Sequence, residues 1–242
     1  VLRQPKFSPD GRQIVFRIQD TDKNMAGYRT KPGIYRISAL GGAAQFVAPG
    51  DDAPQFSPDG TRIYFSTVDY SGSSAVTRLQ SVTLDGLDQR LHAQTPDADT
   101  RELRISPDLH WLAFRDRQQY YVAPYHETGA PLTVSAAADA MPVARLTDAG
   151  GYALTWTEDS STLVWALGPQ IFRAKAAERF EGGAPLPKSG ESVGLQLAAD
   201  VPAGSIAFTH GRIISRRGDE VIDSGTLVVI GNRIAAIGPS SQ

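Results

Sequence analysis

The sequence predicts an all-β protein, a partial β-propeller of about four four-stranded blades followed by a few strands of a β-sandwich. Two observations predict this class. A turn built around an acidic residue recurs with a period close to that of propeller blades, and the last forty or so residues show a different strand pattern without that turn.

The turn repeat reads Phe-Ser-Pro-Asp-Gly at residues 7–11 and 56–60, and degenerate copies follow at residues 105–108 and 156–159. Successive acidic residues are 49, 49 and 51 positions apart, and they are Asp10, Asp59, Asp108 and Asp159. In such a turn Pro presets φ, Asp accepts hydrogen bonds from nearby backbone N–H groups, and Gly adopts positive φ. We therefore interpret the four carboxylates as structural turn residues and not as a catalytic set.

The residues that flank each turn alternate with a period of two, which predicts strands. An aliphatic residue comes four positions after each Asp and an aromatic residue six positions after it; these are Ile14, Ile63, Leu112 and Leu163, and Phe16, Phe65, Phe114 and Trp165. A third strand is predicted at residues 33–37, 79–84, 119–122 and 170–173, and a fainter fourth near 45–47, 89–92, 143–147 and 194–197. The predicted blades are residues 3–50, 52–98, 101–148 and 152–200.

These repeats resemble those of TolB-like propellers over roughly residues 3–200. The resemblance implies a platform that binds proteins, or an accessory domain of a peptidase or another hydrolase. Leu109 replaces Gly in the third turn and Glu158 replaces Pro in the fourth, so these two turns are expected to be weaker. Four blades are few for a closed ring, so we expect a portion upstream of residue 1, or another chain, to cover the sheet faces at the two ends.

Residues 204–242 form a second predicted unit after a linker-like stretch at 181–187. The dipeptide Gly231-Asn232 lies between two apolar runs, which is typical of a two-residue hairpin turn. The run Gly-Asn-Arg-Ile-Ala-Ala-Ile-Gly at 231–238 resembles the opening strands of the amidohydrolase superfamily, and the similarity covers residues 204–239. Residues 165–172 also resemble the last blade of proteins that join TolB-like repeats to an amidohydrolase.

The amidohydrolase resemblance implies hydrolysis of C–N bonds with a divalent metal, Zn or similar, held by a His-x-His pair in a barrel downstream of this chain. The chain has no such pair, and its four histidines, His92, His110, His126 and His210, are expected at the surface or in turns. No catalytic residue, metal ligand or cofactor is therefore assigned within it. Tyr120, Tyr121, Tyr125 and His126 are candidates for a ligand-binding mouth, but strand packing and a solvated loop are the preferred interpretation.

The function predicted from these resemblances is that of a non-catalytic propeller that gates or recruits substrate for an amidohydrolase. One alternative is a periplasmic TolB-like propeller that binds proteins without enzyme activity; another is the propeller of a prolyl-oligopeptidase-type serine peptidase. The expected partners are a protein or peptide-like substrate and the remaining part of the same polypeptide or another chain.

Composition excludes several other classes. The net charge is −2, with 24 basic and 26 acidic residues and no block of one sign, so neither nucleic acid nor a membrane surface is an expected partner. The sequence has no apolar run of the roughly 18 residues that a spanning helix needs. It contains no Cys, which is compatible with the periplasmic or secreted location that the resemblance implies. It also lacks a Gly-x-Ser-x-Gly elbow, a phosphate loop, a dinucleotide fingerprint and a His-Glu-x-x-His helix.

Overall fold

The computed structural model describes residues 2–19, 31–96, 98–137, 141–181, 184–194 and 202–240. Within them the regular structure consists of β-strands and one 3-10 turn at Ala177–Arg179. The chain divides into two compact units, Val1–Val193 and Gly194–Gln242. The predicted all-β class is therefore confirmed.

The first unit contains four antiparallel meanders. The first sheet consists of β1 Leu2–Phe7, β2 Gln13–Ile18, β3 Gly33–Ser38 and β4 Gln45–Ala48; the second of β5 Asp52–Phe56, β6 Arg62–Asp69, β7 Val76–Thr83 and β8 Arg90–Gln94. The third sheet begins with β9 Thr100–Ile105, β10 Trp111–Asp116 and β11 Gln119–Pro124. The first strand of each sheet contacts the first strand of the next sheet, as β1 contacts β5 and β5 contacts β9. We call these first strands the inner strands.

The segment after β11 contributes to two different sheets. It contains β12 Leu132–Thr133 and β13 Ala144–Arg145. Strand β13 pairs with β11 and completes the third sheet, whereas β12 pairs in parallel with β8 and gives the second sheet a fifth strand. The prediction of four strands in every blade is wrong for the second sheet, because part of the third repeat crosses to its outer edge.

The fourth sheet consists of β14 Tyr152–Trp156, β15 Thr162–Leu167, β16 Gln170–Lys175 and β17 Glu191–Ser192. The prediction of its fourth strand at 194–197 is not confirmed at Gly194, which is not in a strand, and residues 195–197 lie outside the described part of the chain. The structure instead forms this strand at β17, where residues 191 and 192 pair with Ile171 and Gln170.

An aromatic pair joins the second and third strands of three of the sheets. Phe16 stacks on Tyr35, Phe114 on Tyr121, and Trp165 on Phe172, with ring centroids 6.0, 5.7 and 5.8 Å apart. Each pair consists of directly opposed residues in the antiparallel ladder. In the second sheet Phe65 lies opposite Gln80 instead. In these three sheets the aromatic residue six positions after the turn Asp is therefore a cross-strand packing residue.

Three apolar cores lie between successive sheets of the first unit. They contain Val15 and Ile34 against Phe56, Ile63 and Phe65; Tyr64 and Leu79 against Leu103, Ile105 and Phe114; and Ala113 and Tyr120 against Leu154, Trp156 and Trp165. Each large apolar side chain that is fully buried in this way stabilises the fold by about 1.5–3 kcal/mol. Face-to-face packing of the sheets thus supplies most of the apolar burial of this unit.

Apolar side chains on the first and fourth sheets are more exposed than the equivalent side chains on sheets that have a neighbour on that face. Phe7 is 65% exposed, whereas Phe56, its equivalent in the second sheet, is 6% exposed. At the other end Val164 and Ile171 are half-buried, although their equivalents in the first sheet are fully buried. Exposed apolar surface on the two end sheets is typical of a face that packs against further protein.

The second unit is a three-stranded antiparallel meander of β18 Ser205–Ile214, β19 Val221–Ile230 and β20 Arg233–Pro239. Ile230 pairs with Arg233, so the two residues between them form the tight hairpin turn that the sequence predicts. Gly231 has a φ of +61°, which is why Gly is suited to this position.

Candidate functional site

The inner strands of the first unit line a cavity of about 860 Å³. Side chains from all four repeats face it, and the lining includes Gln4, Lys6, Gln55, Arg104, Thr155 and Trp156. Five proline residues and the rings of Phe7 and Phe56 add an apolar component. We call this cavity the channel. Its volume lies in the range of cavities that bind small ligands.

A β-bulge recurs in every inner strand, at the position six residues before the turn Asp. The bulged residues are Gln4, Ala53, Glu102 and Ala153, with φ values of +54°, +51°, +57° and +58°. At each bulge three residue steps on the inner strand match two on its neighbour, as between Arg3 and Lys6 opposite Arg17 and Val15. The extra residue bends the strand and changes the direction of the side chains beside the channel.

A chain of polar contacts crosses the inner strands from one sheet to the next. Gln4 Nε2 donates to Asp52 Oδ1 at 2.6 Å, and Gln4 Oε1 accepts from the backbone N–H of Ala53 at 3.1 Å. Arg104 Nη1 then donates to Asp52 Oδ2 at 2.6 Å, and Arg104 Nε lies 3.4 Å from the carbonyl oxygen of Leu154. These contacts join all four inner strands beside the channel.

Two further side chains reach from one inner strand to the backbone of the next. Gln55 Nε2 donates to the Ile105 carbonyl at 3.1 Å, and Trp156 Nε1 donates to the Arg104 carbonyl at 3.0 Å. Because these groups are already bonded, they hold the wall of the channel in a fixed shape.

The four turns share one hydrogen-bonding pattern. In the second turn Ser57 Oγ donates to Asp59 Oδ1 at 2.5 Å, the same carboxylate oxygen accepts from Thr61 N–H at 3.1 Å, and Ser57 Oγ accepts from Arg62 N–H at 2.9 Å. Equivalent bonds occur around Asp10, Asp108 and Asp159. All four carboxylates thus bond within their own turns.

The degenerate third and fourth turns keep this geometry. Leu109 and Ser160 occupy the Gly position with φ values of +62° and +61°, close to the +69° of Gly11. Leu109 packs on the apolar core between the second and third sheets, and Ser160 Oγ accepts from the backbone N–H of Asp108 at 2.9 Å. Side-chain contacts with the neighbouring sheet therefore accompany the loss of Gly at both positions.

Hydrogen bonding lowers the pKa of each turn carboxyl. The Ser8 hydroxyl does so most strongly for Asp10, Ser57 for Asp59 and Thr157 for Asp159. For Asp108 partial burial acts to raise the pKa, but bonds from Ser106 and His110 outweigh it. These carboxyls are accordingly ionised acceptors at neutral pH, a state unsuited to general-acid chemistry.

The part of the chain that the structure describes places no three His, Asp or Glu side chains where they could hold one metal ion. The amidohydrolase resemblance implies a divalent metal only downstream of this chain.

His92 is buried, so the prediction that all four histidines lie at the surface or in turns is wrong for this residue. It extends from β8 into the space between the second and third sheets. Its Nε2 lies 2.7 Å from Ser81 Oγ and its Nδ1 lies 3.2 Å from Tyr125 Oη. Ser81 is fully buried, which excludes it as an accessible nucleophile. Nothing in the sequence around His92 signals this burial.

The other three histidines are exposed, whereas two of the three tyrosines of the candidate mouth are buried. His110 is an exposed turn residue, and His126 and His210 are also exposed, His210 within β18. Tyr120 and Tyr125 are buried, which supports the interpretation that they pack in the core and do not line a ligand-binding mouth. Tyr120 Oη donates to Glu102 Oε2 at 3.0 Å.

Comparison with known proteins finds neither a matching family profile nor a similar curated protein. Solved structures are similar at low identity. A protein from Agrobacterium tumefaciens described as TolB matches at 15% identity and a TM-score of 0.46, with 97% of this chain and 64% of that chain covered. The β-propeller domain of the Trilobed protease from Pyrococcus furiosus matches at 12% identity and 0.43, with 96% and 70% covered.

A chain of the nidogen/laminin complex matches at 14% identity and a TM-score of 0.50, with 99% of this chain and 80% of that chain covered. The first unit is a partial β-propeller. We accordingly call its four sheets blades. The chain spans less than two thirds of the TolB protein, and similarities at such low identity concern the fold alone. In the described residues no helix is both long and apolar enough to cross a membrane.

Proposed function

We propose that this chain comprises the non-catalytic propeller of a metal-dependent amidohydrolase acting on C–N bonds, together with the first strands of its β-sandwich. The observation that carries the proposal is the separate unit of β18, β19 and β20, whose Gly231-Asn232 hairpin lies in the segment that resembles amidohydrolases. A propeller that only bound proteins would not need this unit.

Exposed apolar side chains on the sheet of the second unit support this proposal. Ile206, Phe208 and Ile234 are 61%, 58% and 61% exposed, and its only buried residue among those described is Gly225. A sheet normally buries one apolar face against a second layer. In the proposed enzyme, further strands of the β-sandwich supply that layer.

The role assigned to the propeller is to recruit or gate a protein or peptide-like substrate. The channel supports it, because its lining combines apolar rings and prolines with the polar groups of Gln4 and Arg104, both of which are held by Asp52. The metal and its ligands belong, in this proposal, to the segment after residue 242. A periplasmic or secreted location is part of the same proposal and follows from the TolB-like resemblance.

The test is to clone the codons that follow residue 242 and to compare the longer protein with this chain. We expect a His-x-His pair within an apolar strand, stoichiometric Zn or Mn in the longer protein, and hydrolysis of amide substrates only by that protein. Stoichiometric Zn or Mn in the 242-residue chain would contradict the non-catalytic assignment.

The same experiment separates the alternatives. A stop codon soon after residue 242, with no hydrolase activity, would favour a TolB-like binding module. A downstream Gly-x-Ser-x-Gly segment with activity lost on serine modification would favour a prolyl-oligopeptidase-type enzyme. Either result would overturn the amidohydrolase proposal.

A further inference from the structure

Residues 126–137 form a strap that crosses from the third blade to the outer edge of the second. Leu132 and Thr133 pair in parallel with Ala93 and Gln94 of β8. The backbone N–H of Val134 donates to the Gln94 carbonyl at 2.9 Å, and the Val134 side chain is fully buried in the core between the two blades. The strap therefore covers a strand edge and fills part of an interblade core.

His92 lies on β8 directly beside this strap and takes part in a closed set of hydrogen bonds. Arg62 Nε donates to Ser81 Oγ at 2.9 Å, so the Ser81 hydroxyl proton is free to bond His92 Nε2 at 2.7 Å. This leaves the ring proton on Nδ1, which faces Tyr125 Oη at 3.2 Å. The neutral imidazole with its proton on Nδ1 is the form that matches these partners.

The charged and titratable groups around His92 come from three elements. Arg62 and Tyr64 lie on β6, Arg90 lies on β8, and Tyr125 and Glu127 follow β11. The Tyr64 ring centroid is 4.8 Å from that of His92, and Glu127 Oε1 is 3.9 Å from Nδ1. Burial raises the pKa of both tyrosines, which keeps them neutral across the range in which histidine titrates.

Burial is the main factor that lowers the pKa of His92, and Arg62 and Arg90 lower it further. Glu127 opposes them, but its side chain is 59% exposed and its field is screened by water. A proton on Nε2 would also remove the acceptor of the Ser81 hydroxyl proton, and Ser81 is fully buried, so this donor would have to find another partner inside the protein. The closed arrangement therefore disfavours the imidazolium ion on both counts.

We propose that His92 makes the strap sensitive to pH, and that protonation of its ring releases residues 126–137 from the edge of β8. Once the strap opens, water reaches the ring and its proton affinity returns towards that of a free histidine. The open state then binds more protons than the closed state at pH values below about 6.5. Acidification consequently favours opening, by up to about tenfold per pH unit until the closed form also protonates.

The release would expose the unpaired backbone of β8 at Ala93 and Gln94 together with the apolar side chains of Leu132 and Val134. An exposed strand edge is a site where an extended segment can add to a sheet. The strap is thus a conformational device within the propeller, and it does not depend on the proposed enzymatic role.

The test is hydrogen exchange by mass spectrometry on the full 242-residue chain, corrected for intrinsic exchange, at about pH 7.5 and about pH 5. Peptides that cover residues 126–137 and 90–95 should lose protection on acidification, by a factor of about ten or more in the opening constant, whereas β15 and β16 should not. The His92→Gln variant should lose this pH dependence. His110→Gln, in which the exposed turn histidine is replaced, should keep it.

Unchanged protection of the strap at the lower pH, or an equal response in His92→Gln, would overturn the proposal. The Glu127→Gln variant adds an independent test, because removal of the opposing carboxylate should increase strap opening at about pH 5 beyond that of the wild type. If His92→Gln does not fold, a ¹⁵N-histidine titration of the wild type decides. His92 must then titrate with the same midpoint as strap opening, and a different midpoint would contradict the mechanism.

Discussion

Arg104 of the third blade donates from Nη1 to Oδ2 of Asp52 in the second blade at 2.6 Å. The two side chains are only 13% and 26% exposed, so water screens the pair weakly. The Asp88–Arg90 pair has a similar distance of 2.8 Å, but both of its side chains are 52% exposed. This difference in burial makes the two ion pairs a natural comparison.

Replacement of Arg104 by Met should lower the free energy of unfolding by about 1.5–3 kcal/mol, because it leaves the partly buried Asp52 without a charged donor. Arg90→Met removes an exposed partner of Asp88 and leaves the bond from Arg62 to Asp88 in place, so it should cost at most about 0.5 kcal/mol. Urea unfolding of both variants provides the measurement. Equal losses would show that the interblade pair is no stronger than a surface pair.

The recurring bulge predicts a stabilising substitution at Ala153. This residue is exposed and has a φ of +58°, where a Cβ atom is unfavourable by about 1 kcal/mol. Ala153→Gly should therefore raise the free energy of unfolding by about 0.5–1 kcal/mol. The control is Ala166→Gly, which replaces the residue opposite Tyr152 in the neighbouring strand. It should lower the free energy of unfolding, since Gly weakens a regular strand. A loss of stability in both variants would argue against the bulge.

The turn bonds predict that Asp59→Ala and Asp59→Asn differ. Asn keeps an acceptor for the Ser57 hydroxyl and the Thr61 N–H group, whereas Ala removes it. Asp59→Ala should therefore cost about 1 kcal/mol of stability and Asp59→Asn clearly less. Thermal or chemical unfolding at neutral pH measures both. Equal costs would mean that the carboxylate oxygen does not organise the turn.

Acid titration should reveal the lowered pKa of Asp59, which arises chiefly from the bond donated by Ser57. A carboxyl with a lower pKa in the folded state contributes its full stability above its unfolded value of about 3.9 and loses it as the pH falls through the folded value. The stability difference between the wild type and Asp59→Asn should accordingly shrink below about pH 4. A difference that stays constant down to about pH 2 would contradict this prediction.

The period of the turns and the alternation around them predict most of the first unit. Phe16, Phe114 and Trp165 could be placed as packing residues because each occupies the same position after its turn Asp. Such repetition works because every blade packs in the same way against its neighbours. It fails where one repeat departs from the others, as at β12, which leaves the third repeat to join the second blade.

The candidate site was harder to predict, for physical reasons that its residues illustrate. The bulge positions carry Gln4, Ala53, Glu102 and Ala153, and none is the Gly that would mark a positive φ in a sequence. Asp52 and Arg104 lie seven and four positions before their turn residues, so alignment of the repeats does not bring them together. His92 lies against Tyr125 and Glu127, which come more than thirty residues later in the chain, so its surroundings could not be predicted from neighbouring residues.

A crystal structure of the 242-residue chain is the decisive measurement. We expect four bulged inner strands around one channel, with Arg104 bonded to Asp52 and with β18, β19 and β20 in a sheet of their own. Helices packed across residues 105–180, or the last three strands hydrogen-bonded into one of the four blades, would contradict it.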